Sequence, residues 1–334
     1  MSSRSRVYVA VAAAAVAAAG VAVGVTWTGR GPEPVGATAT SGPREGAPPL
    51  ALDFLVADRS EAVALQSAIT LYRDGRRPAA LDAFEKVLAG DPGSLYAAVG
   101  AAFARWPGGT LAALEQLAQD HPDSALIPLH EGLALYWQGR DAEAEAVWKK
   151  AEEVEPDSPA AIRAESLLHP EMPAGRPFFV PGTQLPKELE NRLPLEQLAE
   201  LERRAKGGGT AGAWVQYGAA LQRAGRPGSA QAAYDRAVEI DPQSAEAQTA
   251  AAVARFTKDD PSAAFSRLGP LARRFPDAPV VRFHLGLMLL WLRQVDKARE
   301  ELTAAKTDGS GTVWGQEATL LLERLAEAQG QTAP

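Results

Sequence analysis

The sequence predicts an all-α fold: antiparallel helix pairs stacked into a superhelix in two blocks, preceded by one transmembrane helix. Three observations predict it. Ala is abundant while aromatics make up only 7 % of the 334 residues, which favours closely packed helices over sheets of β-branched and aromatic side chains. A pattern of small and aromatic positions recurs with a period of about 34 residues over most of the chain. The N-terminus carries a long apolar run without charge.

That run comes first. No charged residue stands between Arg6 and Arg30, and positions 7–27 are almost wholly apolar, with seven Val and nine Ala. About 20 such residues in a helix span a bilayer core. Arg4 and Arg6 precede the run and Trp27 sits at its far edge, so the positive-inside rule places the N-terminus in the cytoplasm and the rest outside the membrane. A cleaved signal peptide is the alternative, with Ala22-Val23-Gly24 a weak cleavage site; a buried soluble helix is a third reading. Residues 1–29 are therefore expected to be a cytoplasmic tip and a signal-anchor. Residues 30–58 follow as a linker. The stretch 28–50 holds five Gly and five Pro, a composition expected to stay unpacked and tether the folded part off the membrane.

The repeat is clearest in 211–242. With Ala211 as position 1, Trp214 is 4, Tyr217 is 7, Gly218 is 8, Leu221 is 11, Ala230 is 20, Tyr234 is 24, Ala237 is 27 and Pro242 is 32. The small residues at 8 and 20 suit a close helix crossing, and the ring at 24 fills the space beside it. Gly225-Arg226-Pro227 makes the turn, and Asp241-Pro242 ends the hairpin because proline cannot sit in a helix interior. The same frame holds for Gly132, Ala144, Trp148, Ala151 and Pro156, for Ala80, Phe84 and Pro92, and for Gly286, Ala298, Leu302 and Ala305. Ala264 and Pro276 also fit, with Gly269-Pro270 expected to interrupt that second helix. This pattern resembles the tetratricopeptide repeat (TPR) consensus, strongly at 211–242 and 125–158. The resemblance implies an α-solenoid.

A longer symmetry is superposed on the short one. His130 to Trp137 and His284 to Trp291 share the pattern H-x-G-L-x-L-x-W, 154 residues apart, and Pro92 and Pro242 lie 150 apart. This reads as an internal duplication. A first block over 59–169 has about three repeats, and a second over 193–334 has a helix, about three repeats and a closing helix at 313–328. Three repeats suffice to bury a continuous core. Between the blocks, residues 170–192 form a Pro-rich insert whose five prolines forbid a regular helix until about Leu193. A helix is then expected to end at Gly207-Gly208-Gly209. Within the insert, Phe178-Phe179-Val180 is an apolar triplet that must dock somewhere. The expected place is the end of the first block, with the chain's own groove or a partner as alternatives.

Chemistry-bearing motifs are missing. There is no phosphate loop, no H-E-x-x-H and no G-x-S-x-G, so no catalytic residue and no cofactor is assigned. The chain has no cysteine, which removes disulfides and thiolate metal sites. Lys and Arg number 34 against 41 Asp and Glu, a net charge of −7, so no nucleic-acid partner is expected. His130 and His284 occupy equivalent positions. They are read as helix-packing residues bonded to backbone, with groove contact and metal ligation as alternatives.

The TPR resemblance implies a concave surface lined by the first helix of each repeat. On that basis the candidate protein-binding groove is Tyr72, Arg73, Arg105, His130, Tyr136, Trp137, Gln222, Arg223, Phe256, His284 and Trp291. The aromatics supply contact area and the arginines charge-assisted bonds; ordinary core packing and a solvated face are the competing readings. The expected function is a non-catalytic scaffold, tethered through residues 7–27, that holds a protein or peptide. Ala richness and Arg well above Lys suggest a bacterial genome and a role in envelope assembly or maturation, with an architecture similar to membrane-anchored TPR proteins of cytochrome c maturation. The alternatives are an enzyme or enzyme subunit with chemistry in the insert, and a self-assembling spacer.

Overall fold

In the computed structural model the described residues are 42–54 and 58–328. The apolar run at 7–27 lies outside them, and none of the described helices is long and apolar enough to cross a membrane. Among the described residues there are 15 α-helices and no strand. They divide into two compact units: one contains residues up to 168 together with 191–197, the other residues 169–190 and 198–328.

The first unit contains α1 (Arg59–Arg73), α2 (Arg77–Gly90), α3 (Leu95–Ala104), α4 (Thr110–Asp120), α5 (Leu126–Trp137), α6 (Asp141–Val154) and α7 (Pro159–Leu168). Next comes α8 (Pro194–Gly208). The second unit continues with α9 (Ala211–Arg223), α10 (Pro227–Ile240), α11 (Ala245–Val253), α12 (Ser262–Arg274), α13 (Pro279–Trp291), α14 (Val295–Asp308) and α15 (Val313–Ala328). Local chemistry sets the ends. Asp58, Thr210 and Ser244 accept from the amides of Glu61, Ala213 and Ala247 at the starts of α1, α9 and α11, which satisfies donors the helix leaves open. Proline opens α2, α10 and α13, where its missing N–H costs nothing.

The repeat positions do what their sizes require. Ala80, Ala144, Ala230, Ala264 and Ala298 at position 20 are fully buried, as are Phe84, Tyr234, Leu268 and Leu302 at position 24, with Trp148 nearly so. Position 8 must be glycine where the partner ring lies on the backbone. A Cβ on Gly132 would stand 2.3 Å from Nε1 of Trp148, and one on Gly218 2.5 Å from the Tyr234 ring. The shorter unit ahead of Pro122 keeps the geometry with Thr110 and Leu114, both fully buried. Thr110 Oγ1 donates to the Ala102 carbonyl at 3.0 Å, so its polar atom is satisfied.

Three expectations are corrected. The helix α12 is continuous through Pro270; the proline and Ser266, the residue whose carbonyl it leaves without an N–H, are both exposed. The helix α8 runs through Gly207 and Gly208 and stops at Gly209, whose φ of +60° ends the helical run. The third concerns the two Pro-rich stretches. Leu50, Ala51 and Leu52, expected within an unpacked linker, are buried in the core of the first unit. Phe179 and Val180, expected at the end of the first block, are buried in the core of the second unit instead. Proline forbids a helix in both stretches but leaves an extended chain free to lie along helices.

Candidate functional site

Each unit carries an extended strap laid across its first-of-pair helices. In the first unit the strap is 44–53. Gly46 takes a left-handed φ of +81°, and its carbonyl accepts from Nε1 of Trp106 at 3.0 Å. The Pro48 carbonyl accepts from the Tyr72 hydroxyl at 2.7 Å. The Ala51 amide donates to Nε2 of His130 at 3.2 Å. At the head of the strap, the Arg44 amide donates to the Trp137 carbonyl at 2.8 Å, and its guanidinium lies over the Tyr136 ring, 3.3 Å from the centroid. That guanidinium also pairs with Asp141 at 2.9 Å and bonds the Tyr136 carbonyl. At the tail, Asp53 pairs with Arg163 of α7 at 2.5 Å.

The second unit repeats the device with the segment 171–184. Gly175 has φ +83°. The Phe179 amide donates to Oε1 of Gln222 at 3.0 Å, an atom that also accepts from the Tyr234 hydroxyl at 2.8 Å. The Val180 amide donates to Nε2 of His284 at 2.9 Å, and the Val180 carbonyl accepts from Nε1 of Trp314 at 2.8 Å. The Gly182 amide donates to Glu246 at 2.7 Å. Upstream, Lys258 donates to the Pro173 carbonyl at 2.6 Å and Arg293 to the Glu171 carbonyl at 2.8 Å. The Phe179 ring stacks on the His284 imidazole at 4.5 Å and meets Tyr234 edge-on at 5.7 Å.

Both histidines are held in one chemical state. The Nδ1 atoms of His130 and His284 lie 2.7 Å from the carbonyl oxygens of Leu126 and Val280 one turn back. Since Nε2 accepts, Nδ1 must donate, and each ring is the neutral Nδ1–H tautomer. Burial lowers each pKa to about 4, outweighing the opposing bond to the carbonyl one turn back and, at His130, the charge of Asp53, because a charged imidazole loses its hydration there.

The two straps align at a constant spacing of 129 residues: Gly46 with Gly175, Pro48 with Pro177, Leu50 with Phe179, Ala51 with Val180. The shared pattern is Gly-x-Pro-x-(Leu/Phe)-(Ala/Val). Tyr72 and Gln222, which each hold a strap, occupy equivalent helix positions spaced like Pro92 and Pro242. The likeness between the two units therefore extends to the strap as well as the hairpins.

Of the predicted groove residues, Tyr72, His130, Tyr136, Trp137, Gln222 and His284 contact a strap. Phe256 and Trp291 pack edge-on at 5.9 Å in the core of the second unit. The helix α13 is buried on nearly every face, which leaves its last tryptophan no open side. Arg105 is exposed and pairs with Glu85 at 3.0 Å; Arg73 and Arg223 are exposed at the ends of α1 and α9. Sequence reasoning missed Arg44, Trp106, Glu246, Lys258 and Trp314. The Gly-x-Pro echo at a fixed spacing was the available signal. Among the described residues no group of three or more His, Asp or Glu side chains gathers as a metal would require.

Residues 211–254 match the tetratricopeptide repeat family model. That segment covers α9, α10 and α11. Solved structures similar to the chain include a TPR protein from Parabacteroides merdae, 10 % identical, over 80 % of this chain and 99 % of that one, with a TM-score of 0.34. A thermophilic TPR protein from Thermus thermophilus is 20 % identical, over 58 % of this chain and 98 % of that one, at 0.27. Yeast Tom70 is 15 % identical, over 84 % of this chain and 52 % of its own, at 0.36. No curated protein matches the chain. The hairpins of each unit are all-α and of TPR type, the kind of helical repeat that serves as a protein-interaction scaffold.

Proposed function

We propose that this chain is a non-catalytic, membrane-tethered scaffold whose TPR grooves hold an extended segment of a partner protein, in bacterial envelope assembly or maturation. One observation carries the reading. Two grooves each seat an extended segment, chiefly through its backbone amides and carbonyls, and two of the side chains that do so in each, His130 with Tyr72 and His284 with Gln222, stand at equivalent positions. A surface that satisfies a peptide backbone twice, on two different sequences, is a surface for extended chain.

The tether is argued from composition. The charge-free run at 7–27 is long enough to span a bilayer, and Arg4 with Arg6 ahead of it puts the TPR units on the outer side. Proximity labelling of the full-length protein in native membranes, from each side separately, tests both parts. Labelling of the TPR units from outside, with reproducible envelope neighbours, is the expected result. Labelling only from the cytoplasm overturns the orientation, and no enriched neighbour from either side overturns the scaffold reading.

A further inference from the structure

Each strap is fastened at its centre by an atom that cannot keep the bond once it takes up a proton. Nδ1 of His130 and of His284 is committed to the carbonyl one turn back, so the basic lone pair left on each ring is that of Nε2. This lone pair accepts the Ala51 amide in the first unit and the Val180 amide in the second. An added proton therefore sets an N–H against an N–H. The strap amide loses its acceptor, and a fully buried ring becomes charged and must regain its hydration.

What covers the rings decides how water reaches them. On one side are helices in closed contact: α5 carries Gly132 beneath Trp148 of α6, and α13 carries Gly286 against Leu302 of α14. On the other side is a strap, and neither 44–53 nor 171–184 contains a helix. Its ends are fastened apart from its centre. Arg44 holds to the Trp137 and Tyr136 carbonyls, and Asp53 to Arg163; Arg293 and Lys258 hold the Glu171 and Pro173 carbonyls. The centre is thus the part that can lift and be reseated. Around His130 stand Phe103 of α3, edge-on at 4.8 Å, and the charges of Arg163 on α7 and Asp53 on the strap. Around His284 stand Phe179 of the strap and Phe283 of its own helix. Two residues further along that strap, Gly182 is held by Glu246 of α11, whose carboxyl burial pushes up.

We propose that the straps are acid-released latches: protonation of His130 lifts the centre of 44–53, protonation of His284 lifts the centre of 171–184, and the helices of each unit stay folded. Neutralisation reseats each strap, because its fastened ends keep the centre near its groove. Lifting uncovers Tyr72 in the first unit and Gln222 in the second, the side chains that bond the strap backbone beside each histidine. The proposal concerns contacts within each unit and does not depend on the scaffold reading.

The test is hydrogen exchange of the full-length protein in detergent micelles, followed by mass spectrometry over 46–54 and 177–184 and, for comparison, over the helices α2 and α10. Rates are corrected for the intrinsic effect of pH. With each ring held near 4 in the closed state and at ~6.5 when exposed, strap opening is expected to become about 20-fold more populated between pH 7 and pH 5. At pH 5 the strap amides are expected to exchange at least about ten-fold faster than those of α2 and α10, and to stay insensitive to urea below the unfolding transition, as a local opening does. Strap and helix amides that exchange together, with the same urea dependence, overturn the proposal, since protonation then unfolds the whole unit. His130→Gln and His284→Gln each supply an acceptor that does not titrate. Each is expected to abolish the pH response of its own strap and leave that of the other unchanged; a response that survives in the substituted unit also overturns the proposal. Asp53→Asn and Glu246→Gln are expected to keep the response, and its loss in either would assign it to the carboxylate instead. The urea comparison is made on the unsubstituted chain and decides even where a variant fails to fold.

Discussion

The Val180 amide lies 2.9 Å from Nε2 of His284, and the Val180 carbonyl accepts from Nε1 of Trp314 at 2.8 Å. One residue of a Pro-rich segment is thus bonded on both sides by helices far along the chain. His284→Leu keeps the bulk but leaves the buried Val180 amide without an acceptor, which is expected to cost about 1–3 kcal/mol. Phe179→Ala removes the stacked ring and is expected to cost about 3–5 kcal/mol. Urea unfolding followed by circular dichroism measures both. A loss below about 0.5 kcal/mol in either variant would mean that the strap is not part of the core.

The histidines give stability a pH dependence of known sign. Folding holds both pKa values near 4, below the ~6.5 of an unfolded chain. The unfolded state then binds more protons as pH falls, so stability is complete above about pH 6.5 and is lost between about 6.5 and 4. Each histidine contributes a slope of up to ~1.4 kcal/mol per pH unit in that window. Urea midpoints at pH 7, 6, 5 and 4.5 report it. The same series on a His130→Gln, His284→Gln double variant is expected to be flatter; an identical slope would assign the effect to carboxylates.

The glycines under the rings are expected to be intolerant. Gly132→Ala and Gly218→Ala place a methyl within 2.3 and 2.5 Å of Trp148 and Tyr234. The expected cost is about 1–3 kcal/mol each, since neither ring can withdraw from a closed core. Combining Gly218→Ala with Tyr234→Leu is expected to cost less than the sum of the two single changes. Additive losses would show that the glycine serves some purpose other than making room.

A fourth expectation concerns the turn inside the sixth hairpin. Gly75, Gly139 and Gly225 turn their hairpins at φ of +75°, +78° and +69°, whereas the residue equivalent to Gly139 is Arg293, at φ +57°. A side chain there costs roughly 1 kcal/mol. Its guanidinium bonds the Glu171 carbonyl, an exposed contact worth less than that. Arg293→Gly is therefore expected to raise the stability of the second unit by about 0.5 kcal/mol and to increase hydrogen exchange at 171–175. A drop in stability would show that the Glu171 contact outweighs the strain.

The hairpins were open to reading in the sequence because their constraints are local and periodic. The position-8 glycines, position-20 alanines and position-24 rings each mark a crossing that is repeated until it cannot be missed. Part of the groove was legible: Tyr72, Tyr136, Trp137 and Gln222 from their place on first helices, and His130 and His284 from the pattern the two halves share, while Phe256 and Trp291 met the helix rule and pack in the core. Helix position alone does not say which helices are covered on every side. The sequence also carried the Gly-x-Pro echo of 46–51 and 175–180, but six residues in an otherwise unrelated context, with no helical or strand period, do not stand out.

From the sequence alone came the all-α class, the repeat frame, the duplication and the exclusion of cysteine chemistry, because composition and spacing act through nearest neighbours along the chain. Tertiary structure alone decided that the two Pro-rich stretches are packed and where. Proline keeps such a stretch out of helices and leaves its amides and carbonyls in need of partners. Which partners they find depends on side chains brought together by stacking: His130 for Ala51, and His284 with Trp314 for Val180.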